Sequence, residues 1–128
     1  IKDHPAIKFV AAVPKDKTIG ILGLAFKSGS DDVRLSPSKF IIEKLLAKGY
    51  SDVLAFDPMA NEVFDKEYGL PIKYTQTLEE IVEKADVLVL LTSWPEFKKN
   101  KDQIQSKQLF DFRYAFSELK KSSIQELV

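Results

Sequence analysis

The chain contains no cysteine and a single histidine, His4. No disulfide framework, thiolate metal site or cysteine nucleophile can be built from it. One terminal histidine also argues against a histidine metal site or a histidine-based triad, so no metal is expected. Neither charge is in excess: 19 Lys and Arg balance 19 Asp and Glu. A nucleic-acid module normally carries a basic excess on one face, so that class is not expected. A local anion site needs no net charge and stays open. No apolar run approaches the roughly 18 residues of a membrane span, and no signal peptide is recognisable. Glycine is sparse, at five residues, and none stand in the G-x-G-x-x-G spacing of a dinucleotide loop. The expectation is a soluble, cytoplasmic globular domain that does not by itself bind NAD in the usual Rossmann manner. The chain opens at Ile1, which fits a piece of something longer.

What is present is one domain's worth of chain, 128 residues with 45 % hydrophobic side chains, enough for a real core. Residues 1–16 are an unassigned lead-in, ending in a turn at Pro14-Lys15-Asp16, and 17–128 form the domain. From residue 17 strands and helices alternate. Thr18 to Leu22 is a short, continuous apolar run, as in a strand buried on both faces. Ser36-Pro37 starts a helix, with Ser36 as cap and Pro37 at its first position. Phe40, Ile41, Ile42, Leu45 and Leu46 give that helix its apolar face, and Gly49 stops it. Asp52 to Phe56 is a second strand, Met59 to Leu70 a weak helix, and Ile72 to Tyr74 a short strand. Thr77 with Glu80 forms a capping box. Asp86 to Thr92 is the clearest buried strand. Ser93-Trp-Pro-Glu reads as another capping box, opening a short helix through Phe97. Leu109 to Arg113 is a last strand, and Ser117 to Lys121 a final helix. Short loops joining strands to helices imply βαβ units. The fold class is therefore α/β, a three-layer Rossmann-like sandwich with a mostly parallel sheet of about five strands.

In such sheets ligands bind beyond the carboxyl ends of the strands. Lys27, Arg34, Asp57, Thr92 and Arg113 all fall at or just past expected strand ends. Gly20 and Gly23 read as a packing contact and a turn. Lys27 is either a solvated loop lysine or an ammonium aimed at an anion; Phe26 is either core or a ring face for a base or sugar. Asp31 and Asp32 read as helix-start residues. Arg34 stands near the positive end of a helix and needs a partner: Asp31, Asp32 or a ligand phosphate. Asp57 is either the acid that holds ribose hydroxyls or an Asp-Pro turn. Arg113, in D-F-R, needs a carboxylate or a phosphate if buried. Trp94 and Phe97 read as core.

The stretch G-L-A-F-K-S-G-S-D-D-V-R-L-S-P-S, residues 23–38, resembles the signature of the C-terminal domain of the UDP-glucose/GDP-mannose dehydrogenase family, roughly G-L-A-F-K-x-x-T-D-D-x-R-x-S-P. I-I-E-K-L-L-A-K-G, V-L-A-F-D-P, A-D-V-L-V-L-L-T-S-W-P-E-F and L-F-D-F-R follow in family order, so the resemblance covers about residues 17–121. It implies a nucleotide-sugar-binding domain of an enzyme that oxidises the C6 hydroxymethyl of a nucleotide sugar to a carboxylate. Such enzymes use two NAD+ and a catalytic cysteine and serve polysaccharide biosynthesis. The resemblance further implies that Phe26, Lys27 and Arg113 contact the nucleotide sugar and that Arg34 reaches toward NAD. The partners it implies are the NAD-binding and central domains of the same enzyme, in a homodimer or higher oligomer. With no cysteine here, no catalytic residue is assigned to this chain.

Ser30 stands where threonine is usual, Leu35 where glutamate is common, and Tyr114 where asparagine is frequent. These departures leave UDP-glucose, UDP-N-acetyl sugars and GDP-mannose all open as substrates. Two other readings compete. One is a receiver-like signalling domain, disfavoured because Asp57 ends the second strand rather than the third. The other is a stand-alone Rossmann-like binding module, disfavoured by the length of the signature.

Overall fold

The computed structural model describes residues 12–112. Arg113, the expected helix at Ser117–Lys121 and most of the lead-in lie outside them. Five strands form one sheet: β1 (Ile19–Leu22), β2 (Val53–Phe56), β3 (Lys73–Tyr74), β4 (Val87–Leu90) and β5 (Gln108–Asp111). Their spatial order is β3-β2-β1-β4-β5, and every pairing is parallel. Ile19 is in register with Val53 on one side and Val87 on the other, so β1 is the central strand. All four residues of β1, β2 and β4 are buried. That is why these strands read as unbroken apolar runs rather than alternating ones.

The helices are α1 (Pro37–Ala47), α2 (Asn61–Tyr68), α3 (Leu78–Lys84), α4 (Pro95–Lys99) and α5 (Lys101–Gln105). The connections from β1 to β2 and from β2 to β3 step toward one edge of the sheet; those from β3 to β4 and from β4 to β5 step toward the other. Right-handed crossovers then place α1 and α2 on one face and α3, α4 and α5 on the opposite face. Gly20 lies where α3 crosses β1. A Cβ on it would stand 2.9 Å from Ala85 Cβ and from Leu88 Cδ2, so its role is close packing, as expected.

The start of α1 is built as the sequence predicts. Ser36 Oγ accepts the Ser38 N–H at 3.2 Å, and Pro37 occupies the first turn. Ile41, Ile42 and Leu45 face the core. Phe40 does not: it is 47 % exposed, and the Lys39 ammonium lies 5.0 Å from its ring centroid. The box at Thr77 forms by half. Thr77 Oγ1 accepts the Glu80 N–H at 3.2 Å, but the Glu80 carboxylate accepts from the Gln76 N–H at 3.1 Å and from Lys84 Nζ at 3.0 Å. These two donors, Lys84 first, lower its pKa. The second expected box, at Ser93, is absent. Pro95 takes the first helical position, which leaves Trp94 as the cap residue with no side-chain cap bond. Helix α5 carries too little periodicity to be read from sequence; its buried anchor is Ile104.

Candidate functional site

The strand order reverses between β1 and β4, so the ligand crevice of this sheet type lies at their carboxyl ends. The backbone leaving β1 is pinned there group by group. The Gly23 N–H donates to Phe56 O at 2.9 Å, and Gly23 O accepts from Ser38 Oγ at 2.7 Å. The Leu24 and Ala25 N–H groups both donate to Asp57 Oδ2, at 2.8 and 2.9 Å. Ala25 O accepts from Thr92 Oγ1 at 2.7 Å. The Phe26 N–H donates to Asp32 O at 2.7 Å. Leu24 and Ala25 are fully buried, and the chain then emerges abruptly: Phe26 is 49 % exposed and Lys27 is exposed beside it. Phe26 is thus not a core residue. An exposed aromatic and an exposed lysine thus follow directly on a backbone that has little freedom.

Gly23 makes this geometry possible. Its φ is +100°, and a Cβ would come within 2.5 Å of Thr92 Cβ and 2.6 Å of Thr92 N. Only a residue without a side chain lets the ends of β1 and β4 approach this closely.

Asp57 is 2 % exposed and accepts five hydrogen bonds. Beyond Leu24 and Ala25, its Oδ2 takes Trp94 Nε1 at 3.1 Å, and its Oδ1 takes the Met59 and Ala60 N–H groups, each at 2.9 Å. A carboxylate has about four lone-pair sites, so none is left for a ribose. Of the two readings of Asp57, the turn at Asp57-Pro58 is the one built, with an added reach to β1 and α4 that the sequence did not disclose. Trp94 is core, as expected. The signal for its bond was available, because a buried indole N–H needs an acceptor.

Asp31 and Asp32 are not helix-start residues; α1 begins only at Pro37 and has no acid in its first turn. They shape the loop. Asp32 takes the Arg34 backbone N–H at 3.0 Å and the guanidinium bidentately, Nε at 3.0 Å and Nη2 at 2.9 Å. The Arg34 partner is therefore Asp32. Hydrogen bonds from the Arg34 side chain, then from its backbone N–H, hold the Asp32 carboxyl at about 2, below its ordinary 3.8. The guanidinium stays 80 % exposed and points an arginine outward beside the crevice. Leu35 follows with φ 61° and is 83 % exposed, an unusual backbone state for a branched apolar residue.

Two clefts border α2. One, of about 580 Å³, lies beyond β2 and β3 and is lined by Glu62, Glu79 and Glu96 among others. With Asp57 it has four carboxylates in its lining, which make it a poor place for a diphosphate. The other, of about 390 Å³, is lined by Asp31, Asp32, Arg34, Val63 and Glu67. Phe26 and Lys27 line neither of these two clefts. Among the described residues no helix is long and apolar enough to cross a membrane.

A profile described as the UDP-glucose/GDP-mannose dehydrogenase family, UDP binding domain, matches residues 20–118. A UDP-glucose 6-dehydrogenase of Rickettsia bellii is 40 % identical over 85 residues, covering 66 % of this chain and 19 % of that protein. A UDP-glucose dehydrogenase from the hyperthermophilic archaeon Pyrobaculum islandicum superposes with a TM-score of 0.73 at 26 % identity, over 87 % of this chain and 26 % of its own. A GDP-mannose dehydrogenase from Pseudomonas aeruginosa, solved as a ternary complex, gives 0.68 at 30 % identity, over 84 % of this chain and 27 % of its own. The chain spans between 19 % and 27 % of the length of these relatives.

Proposed function

Since the chain belongs to the UDP-glucose/GDP-mannose dehydrogenase family, as its UDP binding domain, we propose that it is the nucleotide-sugar-binding part of an NAD-dependent 6-dehydrogenase. That enzyme oxidises the C6 hydroxymethyl of a nucleotide sugar to a carboxylate. The observation that carries the reading is the pinned segment Gly23–Ala25, which delivers Phe26 and Lys27 to the crevice between β1 and β4. Lys27 offers a point charge to a diphosphate. Phe26 offers a ring face to a base or sugar. Arg113, which lies outside the described residues, is the third proposed contact to the nucleotide sugar. UDP-glucose is the first substrate to try, with UDP-N-acetyl sugars and GDP-mannose as the other members of the class.

NAD, as hydride acceptor, belongs to the whole enzyme. The residues of this domain fit only a contributing role toward it. There is no glycine fingerprint, and the Asp57 carboxylate is already taken up by protein N–H groups. Arg34, outward-facing and 80 % exposed, is the residue proposed to reach the cofactor. The other domains of the enzyme supply the cysteine that this chain lacks, in a cytoplasmic homodimer or higher oligomer.

The test is a titration of the 128-residue chain with UDP, UDP-glucose, UDP-N-acetylglucosamine and GDP, followed by amide shifts. Weak binding is expected, because part of the site lies elsewhere in the enzyme. Shifts should cluster at Phe26, Lys27 and Arg113, and Lys27→Ala should abolish them. Shifts confined to the glutamate-lined cleft, or binding indifferent to Lys27→Ala, would refute the proposal.

A further inference from the structure

We infer that Asp57 and Thr92 are positioning residues for nucleotide-sugar binding: together they grip the Ala25 peptide and so set where Phe26 and Lys27 stand. The inference rests on the proposed role of Phe26 and Lys27 and goes beyond it by naming what holds them. Ala25 lies three residues past the end of the β1 ladder at Leu22, where backbone partners run out. Gly23 still finds Phe56 O; beyond it the acceptor on the β2 side is the Asp57 side chain. Ala25 is held at both ends by side chains, its N–H by Asp57 at 2.9 Å and its carbonyl by Thr92 Oγ1 at 2.7 Å. Asp57 follows β2 and Thr92 follows β4, so three adjacent strands meet at one peptide.

The carboxylate is itself immobilised. Met59 and Ala60 hold Oδ1 from α2's side, and Trp94 holds Oδ2 from the start of α4. It therefore acts as a fixed point rather than an adaptable acceptor. A buried carboxylate loses its hydration and is retained only where its donors are well placed. Here they are, and two of the five belong to the residues immediately before the exposed ring and ammonium. Ala25 is bonded directly to Phe26, so a shift at Ala25 re-aims the residues that follow, and displacements on the order of 1 Å at a binding group can change rates by about 10²-fold.

The test uses the full-length dehydrogenase and UDP-glucose, or whichever nucleotide sugar it turns over, assayed well below the melting temperature of each variant. Asp57→Asn keeps the shape but turns an amide NH2 toward one set of N–H donors. Thr92→Val keeps the shape and removes the donor to Ala25 O. The expected result is a KM for the nucleotide sugar raised roughly tenfold by Asp57→Asn and about threefold by Thr92→Val, with the KM for NAD unchanged. A merely structural role would lower the active fraction, and with it kcat, and leave both KM values alone; that result overturns the inference. Lys27→Ala is run alongside. If it raises the sugar KM while Asp57→Asn and Thr92→Val do not, the site reading stands and the inference falls. If Lys27→Ala leaves the sugar KM unchanged, the site reading fails and takes the inference with it. Should Asp57→Asn not fold, Thr92→Val decides alone.

Discussion

Three glycines separate two physical effects that are usually entangled, and alanine at each gives a prediction with an order built in. Gly29 has φ +82° and nothing within 4 Å of where a Cβ would go. Alanine there meets backbone strain alone, about 1–2 kcal/mol, offset by about 0.4–1 kcal/mol from a stiffer unfolded chain. A net loss of about 1 kcal/mol is expected. Gly20 has no such backbone, but its Cβ would meet Ala85 Cβ and Leu88 Cδ2 at 2.9 Å and Ile81 Cγ1 at 3.1 Å. That is overpacking between β1 and α3, about 1–3 kcal/mol. Gly23 has both, φ +100° and the Thr92 backbone nitrogen at 2.6 Å, a neighbour that cannot swing aside. The two contributions together give about 2–5 kcal/mol, a large part of a typical total of about 5–15 kcal/mol. Urea unfolding of the 128-residue chain reads the three losses as midpoint shifts at constant slope. If Gly23→Ala cost no more than Gly29→Ala, the ends of β1 and β4 would not be rigidly apposed, and the argument for a preset Phe26–Lys27 segment would lose its base.

Two further outcomes follow from titratable groups. Asp32, held at about 2 against an ordinary 3.8, favours the folded loop above pH 3.8, and this contribution is lost as pH falls through about 2. In Arg34→Ala the Asp32 carboxyl should return toward its ordinary value, read by its carbon shift against pH, and no change would mean that the pair does not form in solution. Tyr74 has a buried hydroxyl with no partner among the described residues, and burial, with the Asp65 charge second, pushes its pKa up to about 12. Its neutral form is thus favoured in the fold, so stability present below pH 10 is lost as pH rises toward 12. Tyr74→Phe should be neutral or stabilising by up to about 1 kcal/mol and should flatten the alkaline limb; a clear destabilisation would reveal a bond to the hydroxyl.

The sheet was legible because three of its strands, β1, β2 and β4, are buried on both faces. I-G-I-L, V-L-A-F and V-L-V-L leave no other reading once the helices between them are capped, as α1 is by Ser36 and Pro37. What failed was local. Ser93 looked like a cap only because spacing was weighed without Pro95, which fixes the first helical position one residue later than the box requires. Phe40 counts toward the apolar face by identity, yet it lies off the stripe that Ile41, Ile42 and Leu45 define. Asp31 and Asp32 were drawn toward the helix that follows, whereas Asp32 is bound by Arg34 two residues on. A side chain that closes its own loop leaves no periodic trace. Legible, too, was the setting of the site: strand ends, cations and one long signature.

The role of Asp57 was not legible, and the reason is physical. An acid at the end of a strand in a doubly wound sheet is ambiguous in sequence: it can turn out to a ribose or in to the protein. The choice depends on how many N–H donors the fold delivers to it. Leu24, Ala25, Met59, Ala60 and Trp94 come from the ends of β1, β2 and β4, and only the closed sheet brings them together. Their convergence removes the acid from ligand chemistry and commits it to the backbone of the neighbouring loop. The missing glycine fingerprint points the same way. With no backbone cradle for a pyrophosphate and no free acid for a ribose, this sheet has a nucleotide-binding topology without the two groups that hold a dinucleotide. What remains at its crevice is a ring, an ammonium and an outward guanidinium. On the proposed function, a single diphosphate with an appended sugar suits such a surface better than a dinucleotide does.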